Sequence, residues 1–490
     1  MGARDLTHVK GAGYFVVYWA VPILVTILVL MIFFIVTGII HWFVIPILLC
    51  GLLMLPDGMK WLTGRLDTFD PKGLIGLYGF YFFYISPLIA VGLNFNMYDA
   101  PPPPDWRPWF GYMGLLNLAG IVAYHVGHKI GYIVGKSGGR WEVDWDRFWP
   151  VMIISIAITT VATIFIFIIF GGIRGLIGAF TFRKALFEGK GWLFAIGESM
   201  PKVLLLLVVL LGVKNKWSKS WPFIVLVIVG FFILQFVDGG LRGSRSNIIF
   251  ALFIGVGIIH YMWRRISPIF LVVGAALLLL FSYMYGFYKA LGVKTTEALK
   301  EVEIEEISKY TGRTGEFLLL EDLSRANIQA YILYKLTEYP HHYDLQMGRS
   351  YVGDVAILIP KAIWPNRPPT KMKAGTEMLL GKGSYKPERW ASVRVYGLAG
   401  EAMLNFGPIG VPFVFYIWGF LLGIYRKWKS GWRPGDMRYV IAPVLSLLLF
   451  IALFMDLDNL IASAVFRGLV LCITAIAVTR KLRDASVSEY

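Results

Sequence analysis

The chain has 490 residues and a formal net charge of +16, from 47 Lys and Arg against 31 Asp and Glu. Hydrophobic residues make up 57% of it and charged residues only 16%, against roughly 25% charged in a soluble domain, so there are too few charges to cover a water-exposed surface. Apolar runs of about 20 residues, the length that crosses a bilayer, predict an all-α polytopic membrane protein. They exclude a soluble enzyme, a disordered regulator and, despite the basic balance, a nucleic-acid binder.

Twelve spans are predicted. The first, 14–35, runs on past a normal signal-peptide core without a small-residue cleavage site and reads as an uncleaved anchor. A tight turn at Thr37 and Gly38 leads to the second, 39–55. Spans follow at 73–93, 110–134, 151–170, 193–212, 222–237, a short one at 247–262, and 268–291. Three more lie at 409–424, 440–454 and 460–478. Pro101 to Pro104 form a stiff polyproline spacer between the third and fourth. Cys50 and Cys472 both fall in apolar runs, so no disulfide or thiol metal site is readable. His125 and His128, one turn apart, read as packing residues.

Lys and Arg in short loops set the orientation. Lys60, Arg65, Lys136, Arg140, Arg147, Lys214, Lys216, Arg264, Arg265, Arg433, Arg438, Arg480 and Lys481 all fall on one side in a twelve-span topology, which makes that side cytoplasmic, with both termini. The chain then divides into 1–291 with nine spans, a large extracytoplasmic loop at 292–408, and 409–490 with three spans and a cytoplasmic tail. The loop is too long to be structureless, so it is a small, mostly helical folded cap. It starts acidic, with Glu297, Glu301, Glu303, Glu305 and Glu306. Apolar residues at helical spacing from Phe317 to Tyr334 then predict an amphipathic helix lying on the membrane or on the protein. Its later half is basic, with Arg349, Lys361, Arg367, Lys371, Lys373 and Arg389 among its cations.

Basic residues in short outer loops are the informative exceptions to that rule. Arg174 lies in a Gly-rich turn, and Arg242 and Arg245 lie three apart among glycines and serines, just ahead of an apolar helix. Backbone N–H groups at a helix N-terminus together with guanidinium forks make a site for phosphate oxygens. The bland alternatives are arginines that snorkel to headgroups or pair with Asp238, and, for Arg174, an ordinary interfacial helix. Two adjacent histidines, His341 and His342, lack a spaced third ligand. Asp456 and Asp458 form an Asp-x-Asp that an ordinary outer turn explains as well as a metal site does. No metal or other cofactor is expected.

A second constellation lies in the loop. It comprises Gly348-Arg349-Ser350-Tyr351, then Ile359-Pro360-Lys361-Ala362-Ile363-Trp364-Pro365-Asn366-Arg367-Pro368, then Gly400-Glu401 through Asn405-Phe406-Gly407 to Gly410. This combination resembles the O-antigen polymerase (Wzy-type) family of oligosaccharide repeat-unit polymerases. The resemblance covers 348–410, extends in looser form to the Arg242 and Arg245 loop, and elsewhere rests on layout, which O-antigen ligases share.

The resemblance implies a membrane (GT-C) glycosyltransferase of the plasma membrane whose site faces the extracytoplasmic side. A glycan on a polyprenyl diphosphate is its donor, and a hydroxyl of the next lipid-linked repeat unit attacks the anomeric carbon. On this view Glu401, with Arg394 just ahead of it, serves the proton transfer. Arg174, Arg242, Arg245 and Arg349 hold the diphosphate, and Tyr351, Lys361, Arg367 and Arg389 touch sugar or phosphate. The bland reading of Glu401 is a helix-end carboxylate paired with Arg394 or bonded to backbone N–H groups. Membrane lipids and a chain-length regulator are the further partners to look for. A ligase stands as the alternative in the same class. In other classes stand a lipid-linked oligosaccharide flippase, which should show an internal repeat, and a non-catalytic scaffold.

Overall fold

Several helices start on a built-in cap. Asp70 accepts a hydrogen bond from the Lys72 N–H ahead of one span, Asp105 from Arg107 N–H ahead of the next, and Asp144 from Asp146 and Arg147 N–H ahead of a third. Each satisfies amide donors that a first helical turn leaves unpaired. Gly38 ends the first span with φ 65°, the left-handed conformation that only glycine adopts without cost, so the predicted turn at Thr37 and Gly38 is present.

The computed structural model describes residues 16–97, 101–172, 175, 190–217, 220–240, 245–291, 314–360, 363–386 and 394–482, without side chains at 286–291 and 482. Arg174, Arg242, Lys361, Arg389 and the glutamates from 297 to 306 lie outside the described residues. Among the described residues ten helices are long and apolar enough to cross a membrane. They are α1 (Val16–Thr37), α2 (Val44–Leu62), α3 (Pro71–Gly92), α4 (Trp106–Val134), α5 (Trp145–Ile169), α6 (Gly191–Lys214), α7 (Trp221–Gly240), α8 (Arg245–Met262), α9 (Pro268–Tyr285) and α16 (Leu457–Ala477). Between α9 and α16 come α10 (Ala326–Glu338), α11 (Arg349–Ala356), α12 (Lys371–Leu380), α13 (Gly397–Phe406), α14 (Gly410–Ser430) and α15 (Arg438–Ile451). The predicted spans at 409–424 and 440–454 fall on α14, whose last turn is basic, and on α15, which has 14 residues. Large apolar side chains such as Leu24, Ile35, Leu226 and Leu277 are more than 60% exposed, surface that a bilayer covers and water does not. The chain is a multi-pass membrane protein.

It packs as two units. The first is Met1–Val134, Glu316–Ile424 and Phe450–Asp458, and the second Gly135–Gly315, Tyr425–Leu449 and Asn459–Tyr490. Within the first, the described part of the polar 292–408 segment packs with the early spans. The Tyr78 hydroxyl donates to Leu323 O, Ser86 bonds Ser324, and Asn327 donates to Phe95 O. The helix expected from Phe317 to Tyr334 is present in two pieces, a short one over 315–322 and α10 from Ala326, with a break at 323–325. Arg325 turns back onto the carbonyls of Glu321 and Ser324, and 326–334 are buried throughout, so α10 is an internal helix and not an amphipathic one on a surface.

α4 and α14 touch backbone to backbone through two small-xxx-small pairs, the usual means of close span packing. A Cβ at Gly127 would lie 2.2 Å from Tyr416 O, and one at Gly419 2.1 Å from Tyr124 O. The same holds one turn on at Gly131 with Phe420 and at Gly423 with His128, so the two helices run in the same direction. Gly419→Ala should therefore destabilise the protein by ~1–3 kcal/mol, read as a lower unfolding temperature in detergent, whereas Gly274→Ala, in open space on α9, should not.

In the second unit, β1 (Arg140–Val143) pairs antiparallel with β2 (Thr479–Leu482), Arg140 opposite Leu482. Buried Arg438 joins them. Its guanidinium forks onto Asp436 and donates to the carbonyls of Gly138 and Gly139, and Met437 N–H donates to Trp141 O.

Candidate functional site

In the first unit the structure brings together two of the sequence segments singled out above. Fully buried Asn405 is the joint: its Oδ1 accepts from Gly348 N–H and Ser350 Oγ, and its Nδ2 donates to Glu401 O. The segment before Gly348 runs along the end of α13, with Gln346 N–H on Leu404 O and Met347 N–H on Asn405 O. Gly348 turns the chain into α11 at φ 86°, a conformation that a Cβ disfavours. Tyr351 then meets Phe406, ring centroids 6.1 Å apart. The glycine, serine and asparagine of the two motifs thus serve one junction.

Behind that junction lies a buried charge cluster. Asp354 on α11, Lys371 at the start of α12, Glu401 on α13 and Asp456 just ahead of α16 are each at most 3% exposed. Lys371 bridges Asp456 and, at 3.1 Å, the more exposed Asp458. Asp456 also accepts Tyr396 N–H at 2.9 Å and Gly397 N–H at 2.7 Å, which fixes the start of α13. Glu401 Oε2 accepts Leu457 N–H at 2.8 Å at the start of α16, and Asp354 Oδ1 accepts Lys371 N–H. The oxygens left over, Glu401 Oε1 and Asp354 Oδ2, are buried without any other donor. A proton held between the two carboxyls would satisfy both oxygens, and each carboxyl shifts the titration of the other.

The electrostatics agree. Burial, then the charge of Asp456 and the bond to Asp354, push the Glu401 carboxyl well above the ordinary range. Burial pushes Asp354 up to about 6, opposed by its bonds to Glu401 and to the Lys371 N–H. Burial works against the Lys371 ammonium, but Asp456 and Asp458 outweigh it and hold its proton more tightly than in water. The Tyr351 hydroxyl is held neutral by burial and by the nearby Glu401, Asp456 and Asp354, while its side chain reaches the surface in part.

A pH dependence follows. Below the unfolded carboxyl pKa, both states carry the Glu401 proton. As pH rises the unfolded chain gives it up first, so the folded state loses stability until its own raised pKa is passed. Each raised carboxyl contributes about 1.4 kcal/mol per pH unit in that window. Unfolding temperatures from pH 4.5 to 7 should therefore fall more steeply for the wild type than for Glu401→Gln. Parallel curves would mean that Glu401 holds no proton.

In the second unit, Arg245 begins α8 and donates to Ser282 Oγ at 3.1 Å. Next to it Asn247 donates to buried Glu198 at 2.6 Å. The sequence reading missed Arg467, which lies inside α16, donates to Ser463 and to Ser246 at 3.2 Å, and stacks 4.7 Å from the Phe250 ring. Its signal was its position, because an arginine inside an apolar span is costly and marks an internal polar site.

The remaining predicted residues divide. Arg394 forms an ion pair with Glu321 at 2.7 Å and not with Glu401, whose partners are Asp354 and a backbone N–H. Arg367 donates to the carbonyls of Ala356 and Ile359 and so pins its own loop. Arg349 is exposed at the start of α11, and His341 and His342 are exposed in a turn. Asp456, expected in an outer turn, is the buried anchor of Lys371. Among the described residues no three His, Cys, Asp or Glu side chains are placed to share a metal ion. No family model, no curated protein and no solved structure matches this chain.

Proposed function

We propose that this chain is an inverting glycosyltransferase that polymerises polyprenyl-diphosphate-linked oligosaccharide repeat units at the outer face of the plasma membrane. The observation that carries the reading is the junction at Asn405. It gathers the two loop segments that resemble repeat-unit polymerases around the buried carboxyls of Asp354 and Glu401, with Tyr351 at the surface side. In the proposed step the acceptor hydroxyl forms a new bond to the anomeric carbon as the bond to the diphosphate breaks. The lipid diphosphate leaves with the bonding electrons, and the hydroxyl proton passes by way of Tyr351 to the Asp354–Glu401 pair. Asp354 is the ionised member near neutral pH, so the base is the pair and not Glu401 alone. Incubating the purified protein with defined lipid-linked repeat units in EDTA tests the reaction. A ladder of multiples supports it, while transfer only to a different acceptor, or no new glycosidic bond, overturns it.

Contacts in the second unit support a twelve-span arrangement. The 436–438 turn bonds to 138–141, and β2 bonds to β1, so all three lie on one face. Five spans, α5 to α9, separate the first two. The count becomes even only if α14 also crosses, and α15 must then cross to match α16. The shared direction of α4 and α14 fits the same count. With the basic residues of that face inside, the 314–408 segment lies outside. Cysteines introduced at Lys382 and at Lys216, in a Cys50→Ala and Cys472→Ala background, should label from opposite sides of the membrane. Labelling of both from one side would sink the topology.

A further inference from the structure

Along α4 in the first unit runs an open cleft of about 940 Å³. One wall is a single face of α4, since Trp109, Tyr112, Leu116 and Ala119 recur at three- to four-residue spacing. Tyr334, Glu338 and Tyr339 face them from the end of α10. The cleft is graded. Its Asp105 end carries rings and carboxylates, and its Ala119 end only leucine and alanine, over a rise of about 20 Å at ~1.5 Å per residue. α4 has 29 residues, about 43 Å, longer than the ~30 Å hydrocarbon core. Its ring-bearing end therefore belongs at headgroup level, where tryptophan and tyrosine gather.

The charges at that end are already balanced. Arg107 forks onto Asp105 at 2.9 Å. The Lys335 ammonium sits 4.5 Å over the Tyr339 ring, on the π-face that a quaternary ammonium head would need, and Glu338 follows one turn on. Among the described residues no lysine or arginine lines the cleft, so a phosphate finds no free cation among them. Trp109 packs edge-on against Tyr112 and Tyr334, centroids 5.6 and 5.2 Å away, which is not an open cage. What remains is apolar ring surface for C–H groups with carboxylate and phenol oxygens beside it for O–H donors, above an apolar channel.

We propose that this cleft binds a neutral glycolipid, an uncharged sugar joined to an apolar tail without phosphate. The proposal goes beyond the transfer reaction above and does not depend on it. Photoactivatable dodecyl glucoside, dodecyl phosphate and dodecylphosphocholine, which share a tail, would be crosslinked to the full chain in liposomes and the labelled peptides mapped. The glucoside should label 105–119 and 333–339 in preference to the other two, and excess dodecyl maltoside should compete. Trp109→Leu should cut that labelling about three- to tenfold. Glu338→Gln, an exposed change that spares the packing, should reduce it in the same direction, and Leu226→Ala on α7 should leave it unchanged. Equal labelling by all three heads would make the cleft an ordinary lipid contact and overturn the proposal, as would preference for the phosphate or the phosphocholine.

Discussion

Glu401→Gln should lower polymer synthesis from defined lipid-linked repeat units by about 10²–10⁴-fold, the usual loss when a general base is removed, while near neutral pH the variant unfolds less easily than the wild type, which there bears the cost of holding a raised carboxyl. The second half of that expectation comes from the geometry. Burial and the neighbouring carboxylates favour the protonated Glu401 in the folded protein, and glutamine matches that form closely: its amide can donate to Asp354, and its oxygen can accept Leu457 N–H as Glu401 Oε2 does. What is lost is the pair's ability to pass its proton and take another. Asp354→Asn removes the charged member and should lower turnover comparably. Tyr351→Phe should slow transfer less, because water can stand in for a phenol at a partly exposed position. Glu401→Ala is the contrasting variant, for it strands the Leu457 N–H and the Asp354 oxygen and should unfold more easily by ~1–3 kcal/mol. A folded Glu401→Gln protein with normal turnover would leave the carboxyl pair as a clasp between α11, α13 and α16 and nothing more.

The spans were legible because an apolar run of bilayer length has few other uses, and α1 to α9 and α16 lie close to where hydropathy puts them. The polar segment was legible only in part. The glycine and asparagine of its motifs could be picked out by type and spacing, yet the use to which Asn405 puts them, joining α11 to α13, is a tertiary fact. Lys371 read as one cation among several in a basic half, because its partner Asp456 lies 85 residues on and no local pattern links them. Asp354 was invisible for the same reason: a lone aspartate on a short helix looks solvated until α12 and α13 close over it. Arg394 shows the converse error, since nearness in sequence suggested Glu401 while the fold supplied Glu321. Arg467 could have been found, as an arginine inside a run otherwise long enough to span.

Lys371→Met should be the most destabilising single change in the first unit, at ~3–5 kcal/mol, the usual loss when one partner of a buried ion pair is removed. Lys371 is bonded to both Asp456 and Asp458. Without it Asp456 keeps two backbone N–H donors but no compensating charge on α12, and the start of α13 that those donors fix is strained with it. Asp456→Asn should cost less, because asparagine can still accept from Tyr396 or Gly397 and Lys371 keeps Asp458 at 3.1 Å. Asp458→Asn should cost about 1 kcal/mol or less, since its side chain is 18% exposed and water screens what is lost. The pH dependence separates this account from a mere loss of packing. With the ammonium gone, the folded pKa of Asp456 rises further above its unfolded value. The penalty of Lys371→Met should then shrink below about pH 4, where the carboxyls are protonated in both states, and grow as pH rises toward neutrality. Unfolding of the variant and wild type in detergent at pH 4 and pH 7 measures the difference. A penalty equal at the two pH values would mean that Lys371 holds the fold by its packed methylenes and not by its charge.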